Sequence, residues 1–404
     1  MNVTDRFLKY VSFDTQSDEE SVTAPSTEKQ KLLGAHIADD LRAIGLSDVV
    51  FSEYGYVYAT LPANVDRDLP VLGLIAHMDT SPDAPGADIR ARIVEYTGGD
   101  ILLNETTGDV LSPKQYESLN RNVGKHLIVT DGTTLLGADD KAGAAEIITA
   151  VEELIASGKP HGTVRLAITP DEEVGRGTEN FDLEHFGADY AYTVDGGTLG
   201  ELEYENFNAA SAKVTLHGVN IHPGSAKDKM KNACLLAMEF NSLLPPLETP
   251  AHTTGYQGFF HLGDMKGDTE TAVLRYIIRD HDKALFEQRK QRFAAIAGEM
   301  NLRYGAGTAE TEIADTYYNM RVLIEPHMVI VDRAKAAFLK NGVQPLVQPI
   351  RGGTDGAQLT YRGLPCPNLS TGGENFHGRF EYVPVEDMES MVAVIKTLVT
   401  DLAE

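Results

Sequence analysis

The chain has 404 residues, and at roughly 150 residues per domain it is too long for one ordinary hydrophobic core; two domains are expected, with room for a third. Its 35 basic and 60 acidic residues leave a formal charge of -25, which excludes nucleic acid or an anionic membrane surface as the main partner. Apolar residues make up 42% of the chain, but no apolar run is long enough to span a bilayer, so a globular protein is expected.

The N-terminus, Met1-Asn2-Val3-Thr4-Asp5-Arg6, has no basic flank leading into an apolar stretch, so a cytoplasmic location without a signal peptide is expected. Thr27 to Leu46 reads as a helix: Thr27 and Gln30 fit a capping box, and Leu33, Ile37, Leu41 and Ile44 follow a helical period. Val71 to Ala76 has the form of a buried strand that ends in His77-Met78-Asp79. Pro82 to Leu127 reads as an elaboration with small strands. Asp139-Asp140-Lys141-Ala142-Gly143 opens a helix with an apolar stripe from Ile147 to Ile155, stopped by Gly158. Buried strands follow at Thr163 to Thr169 and Tyr190 to Val194, ending in Asp171-Glu172-Glu173 and Asp195. The pattern is that of an α/β sheet covered by helices.

Near Asn208 the pattern changes. A strand at 211–216, a helix at 229–244, strands near 256–261 and 271–279, a helix at 282–302 and a strand at 310–318 give the order β-α-β-β-α-β of a ferredoxin-like domain. A helix at 326–340, a strand at 343–348 and a helix at 385–402 then resume the α/β pattern. The expected division is therefore 1–207 and 321–404 for one domain, with 208–320 inserted.

Several strands end in groups that bind divalent cations: His77 and Asp79, Glu172 and Glu173, and Asp195, with Asp139 at a helix entry. In open α/β sheets sites form at the carboxyl ends of strands, so these residues can converge. Each alone reads as well as a turn residue or helix cap; the coincidence of several is what points to a metal. With only Cys234 and Cys366 in the chain there is no thiolate site, and any metal must be held by imidazole and carboxylate. Residues i and i+2 of a strand point the same way, so Asp79 can accept from the distal nitrogen of His77. Of the adjacent Glu172 and Glu173, one can ligate while the other handles a proton. Two glycine-rich stretches, Arg351 to Gly356 and Gly372 to Gly378, add His377; neither has P-loop spacing.

These stretches, with Leu136 to Gly143, Pro170 to Gly175 and Ile221-His222-Pro223-Gly224, run through nearly the whole chain. Together they resemble the co-catalytic dinuclear zinc exopeptidases. The resemblance implies a zinc-binding α/β domain with a mixed sheet, interrupted by an inserted ferredoxin-like α+β domain that acts as lid or dimerisation element. It assigns two Zn²⁺ per subunit, with Asp139 bridging, His77 and Asp195 on one ion, and Glu173 and His377 on the other. It makes Glu172 the general base, Asp79 the support of His77, and the Asp139–Asp140 peptide cis. Its implied activity is that of a metallo-aminopeptidase in which a dizinc-activated water removes the N-terminal residue of short peptides, chiefly tripeptides, helped by His222. Arg279 and Arg351 are the candidates for binding the substrate carboxylate, since guanidinium matches carboxylate in two hydrogen bonds. A homodimer is expected. Zinc rests on the resemblance alone, because such ligands also take Co²⁺ or Mn²⁺. The same metals and Glu172 would also serve a dipeptidase, an aminoacylase-like amidohydrolase or a carboxypeptidase.

Overall fold

A computed structural model describes residues 1–403. It divides into two compact units, one made of Met1–Tyr204, Val322–Gln348 and the residues from Thr354 onward, the other of Glu205–Arg321 and Pro349–Gly353.

The first unit is built on an eight-stranded mixed sheet. Its order is Ser47–Phe51, Val57–Leu61, Val164–Thr169, Leu72–His77, Tyr190–Gly196, Asn368–Ser370, Glu201–Glu203 and Leu346–Val347. The four central strands run parallel. Every residue of Leu72–His77 is buried, as expected for a strand covered on both faces. The helices Val3–Val11 and Val385–Thr400 pack on the helix Ala138–Ser157, which lies on the central strands. An aromatic cluster of Tyr56, Tyr58, Phe181 and Phe186 packs with Ile75, Ala191, Leu359 and Cys366.

The parallel strands direct their carboxyl ends the same way, so His77, the turn after Thr169 and Asp195 emerge along one edge of the sheet. Helix Ala138–Ser157 reaches that edge because it presses closely on the strand Tyr190–Gly196. A Cβ added to Gly143 would lie 1.8 Å from the Val194 carbonyl oxygen and 2.4 Å from Asp140 Oδ1. Glycine at that position of the Asp-Asp-Lys-Ala-Gly stretch is thus a packing requirement.

The second unit has a four-stranded antiparallel sheet in the order Phe259–Gly267, Thr271–Asp280, Asn208–His217, Ala309–Tyr317. Two helices, Ala233–Leu243 and Lys283–Tyr304, pack against it. Burial in Thr271–Asp280 alternates, and Leu274, Tyr276 and Ile278 join Phe240, Phe286 and Phe293 in the core. Asn232 and Asp282 cap the two helices through their side-chain oxygens.

Some local expectations differ from what forms. Helix Gln30–Ala43 starts after Lys29, without a side-chain cap. Thr27 Oγ1 donates instead to the Gln16 carbonyl, and Gln30 Nε2 donates to Asp171 Oδ1 at 2.7 Å, so the two residues that resembled a capping box tie loops together. The sequence places 349–353 with the α/β part, whereas it clusters with the second unit through Ile350 N to Glu205 O (2.9 Å) and His281 Nε2 to Ile350 O (3.0 Å). Strands Ser47–Phe51, Val57–Leu61, Glu201–Glu203 and Asn368–Ser370 and the helix Val3–Val11 were not expected from the sequence.

Because Gly143 has no room for a methyl group beside rigid backbone, Gly143→Ala is expected to cost more than about 3 kcal/mol of stability. Denaturant unfolding measures it; an unchanged midpoint would contradict the packing argument.

Candidate metal centre

The strand Leu72–His77 delivers a buried imidazole. His77 Nε2 lies 2.9 Å from Asp139 Oδ1 and 3.4 Å from Asp195 Oδ1. A second imidazole approaches the other oxygen of the same carboxylate: His377 Nε2 is 3.2 Å from Asp139 Oδ2 and 2.9 Å from Glu173 Oε2. Asp139 thus stands between two sets, His77 with Asp195 and His377 with Glu173. All five residues anticipated as metal ligands come together. Asp139 precedes the regular part of its helix, and the Asp139–Asp140 peptide is cis.

Asp79 does more than face His77. Its backbone carbonyl lies 3.1 Å and its Oδ1 3.3 Å from His77 Nδ1, and its two side-chain oxygens also accept the backbone N–H groups of Glu172 (3.0 Å) and Glu173 (3.2 Å). One residue, through its carbonyl and its carboxylate, therefore touches both the histidine and the turn that carries the two glutamates. Their side chains part company there: Glu173 pairs with His377 and joins His77 and Asp139 in a group that could hold a cation, whereas Glu172 is in no such group and in no ion pair among the described residues.

Several participants were not singled out in the sequence. The buried Glu381 accepts the N–H groups of Leu136 (2.6 Å), Gly137 (2.9 Å) and Asp139 (3.1 Å), cradling the loop that presents Asp139. Asp140 accepts the His77 N–H at 3.0 Å and forms a second potential ligand group with His77 and Asp195. Its adjacency to Asp139 was the one available signal. Asp355, buried beside Glu172, His77 and Asp195, accepts from Thr169 Oγ1 at 3.0 Å. Nothing in the sequence marks Glu381, which acts from a part of the chain far from its partners; Asp355 lies in the glycine-rich stretch Arg351 to Gly356, where only its own role went unread.

The electrostatics follow from crowding acids in a buried space. Burial, and then Asp139, push Glu173 up to about 8. Burial raises Asp195 to about 6 and, with Asp195 and Asp355, raises Glu172 well above the usual carboxylate range. Burial also acts to raise Asp139, but hydrogen bonds from His377 and His77 outweigh it and hold that carboxyl low. The partners Asp139 and Glu173 push His377 up to about 12. Protons here stand in for missing positive charge. Glu173 Oε1, Asp140 Oδ1 and Asp355 Oδ1 are buried without a hydrogen-bond partner. A nitrogen-and-oxygen donor set with uncompensated negative charge and orphaned carboxylate oxygens fits a pair of divalent cations.

Other anticipated site residues lie in the second unit. His222 is exposed and accepts the Gly224 N–H at Nδ1 (3.1 Å), in the turn expected from Pro223 and Gly224. Arg279 donates to the Arg351 carbonyl at 3.0 Å and keeps a buried Nε without a partner. Arg351 donates to Gly255 O (2.5 Å), Gln257 O (3.0 Å) and Thr253 Oγ1 (2.9 Å), and lies over the Phe207 and Phe259 rings.

Comparison with known proteins identifies the family. The model of peptidase family M20/M25/M40 matches residues 130–401. Peptidase T of Caldanaerobacter subterraneus subsp. tengcongensis is 54% identical over 399 residues, covering 98% of each chain. The chain belongs to that peptidase family. Peptidase T of Halothermothrix orenii is 55% identical over 399 residues, again covering 98% of each chain. Among solved structures, aminopeptidase PepT from Bacillus cereus shares the fold at a TM-score of 0.77 and 23% identity, over 100% of this chain and 98% of that one. A tripeptidase from Staphylococcus aureus does so at 0.79 and 20% identity, with the same coverage. The mixed-sheet α/β architecture is thus that of the M20 fold. No helix among the described residues is long and apolar enough to cross a membrane.

Ligands must shed protons to bind a cation. With Asp195 raised to about 6, Glu173 to about 8 and His377 to about 12, affinity for divalent cations should climb as pH rises through about 6 to 8 and go on climbing above it, with protons released on binding. Calorimetry in two buffers of different ionisation enthalpy reads that release; affinity independent of pH over this range would contradict it.

Proposed function

We propose that this chain is a co-catalytic metallo-aminopeptidase that removes the N-terminal residue of short peptides, chiefly tripeptides. The observation that carries the reading is one carboxylate, Asp139, facing His77 on one oxygen at 2.9 Å and His377 on the other at 3.2 Å. Its relatives at 53–55% identity, each named peptidase T, support the substrate class.

His77 and Asp195 would hold one cation, Glu173 and His377 the other, with Asp139 shared; we take both as Zn²⁺, with Co²⁺ or Mn²⁺ as substitutes. When bound, such a pair supplies Lewis acidity toward a peptide carbonyl and makes water more acidic. Glu172 is the general base. Its backbone is held by Asp79, and burial with the neighbouring acids Asp195 and Asp355 raises its carboxyl well above the usual range. It takes the proton of the attacking water and hands it to the leaving amine. Asp79 keeps the His77 ring oriented through Nδ1.

Arg279 and Arg351 are the candidate carboxylate anchors. Two guanidinium groups sit side by side against Phe259, and the neighbouring charge of Arg279 adds to burial in lowering the pKa of Arg351. Paired cations without a carboxylate among these contacts suit an incoming anion. His222, on an exposed turn, is the candidate helper at the developing oxyanion. The second unit, with its β-α-β-β-α-β order, is proposed as a ferredoxin-like lid and dimerisation domain of a cytoplasmic homodimer.

The deciding experiment is hydrolysis of di-, tri- and tetrapeptides and N-acyl amino acids by metal-depleted protein, with and without Zn²⁺, identifying the released residue. Metal-dependent release of the N-terminal residue, fastest from tripeptides, is expected; release from the C-terminus or cleavage only of N-acyl substrates would overturn the reading. Glu172→Ala should retain both cations while kcat falls about 10²–10⁴-fold; near-normal turnover would remove it as the base. Arg279→Gln should raise KM more for free tripeptides than for C-terminally amidated ones, and equal effects would dismiss the anchor.

A further inference from the structure

We propose that Asp83 is the positioning residue for His377, orienting its imidazole through Nδ1 so that Nε2 is presented for metal binding. The inference rests on the reading of His377 as a ligand. The two histidines reach Asp139 under different constraints. The His77 side chain is 2% exposed and wedged in the end of a central strand, whereas the His377 side chain is 44% exposed on a loop. Packing therefore fixes the first ring and does not fix the second. The His377 backbone adopts φ of +60°, a left-handed conformation that a non-glycine residue enters at a cost. That conformation aims the side chain but leaves the rotation of its ring undetermined.

Asp83 supplies the missing constraint. His377 Nδ1 lies 3.2 Å from Asp83 Oδ2, while Nε2 faces Asp139 and Glu173. A proton held on Nδ1 by a carboxylate leaves the Nε2 lone pair available and makes the imidazole more basic as a ligand. The loop bearing Asp83 is itself tied down. Asp83 N donates to Ser81 Oγ at 3.2 Å, and Gln16 Nε2 donates to the carbonyls of Ser81 (3.1 Å) and Ala84 (2.8 Å). None of these bonds uses the Asp83 carboxylate, which is free to serve the histidine. The short segment from His77 to Asp83 thereby furnishes a carboxylate for each ring: Asp79 for His77 at 3.3 Å and Asp83 for His377 at 3.2 Å.

The test is competitive titration of Zn²⁺ against a chelating dye, with the metal-depleted full chain as wild type, Asp83→Ala, Asp83→Asn and His377→Ala. Asp83→Ala should weaken one of two cation equivalents about 10–100-fold and leave the other near the wild-type value. Asp83→Asn keeps an acceptor without the charge and should give a smaller loss in the same equivalent. It also keeps the test available if the alanine variant lowers the melting temperature of the metal-free protein. His377→Ala should weaken that equivalent further. If His377→Ala weakens one equivalent while both Asp83 variants leave both unchanged, or lower both alike, Asp83 does not position the ring. If His377→Ala changes neither equivalent, the ligand assignment fails, and the role of Asp83 with it.

Discussion

Two imidazoles meeting opposite oxygens of Asp139 define where the rest of the first unit has to be. Around that carboxylate stand Asp140, Glu172, Glu173, Asp195 and Asp355, and Glu173 and Asp355 are each raised to about 7 or 8. Bringing like charges together out of water opposes folding. The scaffold that withstands it is apolar and close-packed: fully buried parallel strands, an aromatic cluster and a long helix pressed onto the sheet at Gly143. Divalent cations would offset the negative charge of this centre, where burial and neighbouring acids push several carboxyls above their usual range.

Buried carboxylates at this centre accept backbone N–H groups and so fix the loops that carry its side chains. Asp79 holds the amides of Glu172 and Glu173, and Glu381 holds those of Leu136, Gly137 and Asp139. Each carboxylate spans segments remote in sequence and fixes peptide groups, which have fewer ways to move than side chains. Lys141 adds a buried ammonium that donates to the Phe13 carbonyl at 2.9 Å and is lowered to about 7 by burial. The carboxylates and imidazoles of this centre thus converge on loops that these backbone hydrogen bonds lock, the amide of Glu172 among them.

Much of this was legible in the sequence where a local pattern coincides with a physical boundary. His77, Glu173 and Asp195 follow apolar runs whose lengths and composition mark buried strands, and parallel strands place such ends along one edge. In the second unit the alternation over 211–216 is a local signal, and the strand Asn208–His217 forms there, whereas the cap at Asn232 went unread and the helix expected from 229 starts at Ala233. What escaped was non-local. Asn368–Ser370 is only three residues long yet pairs with two strands, and no periodicity can be read from three residues. Glu381 looks like any surface acid until the loop it cradles is folded against it. The Thr27–Gln30 spacing misled because a capping box and a pair of loop ties use the same residue types.

The chain passes between its two units four times rather than twice, since Pro349–Gly353 returns to the second after the first has resumed. That short return carries Ile350, bridged to Asn206, and Arg351, whose guanidinium covers the Phe207 ring. The smaller unit is consequently not a cassette. A fragment cut at Glu205 and Arg321 would lack the bridge partner of Asn206 and the guanidinium over the Phe207 ring, so exchanging this module between relatives requires grafting two separate pieces of chain together.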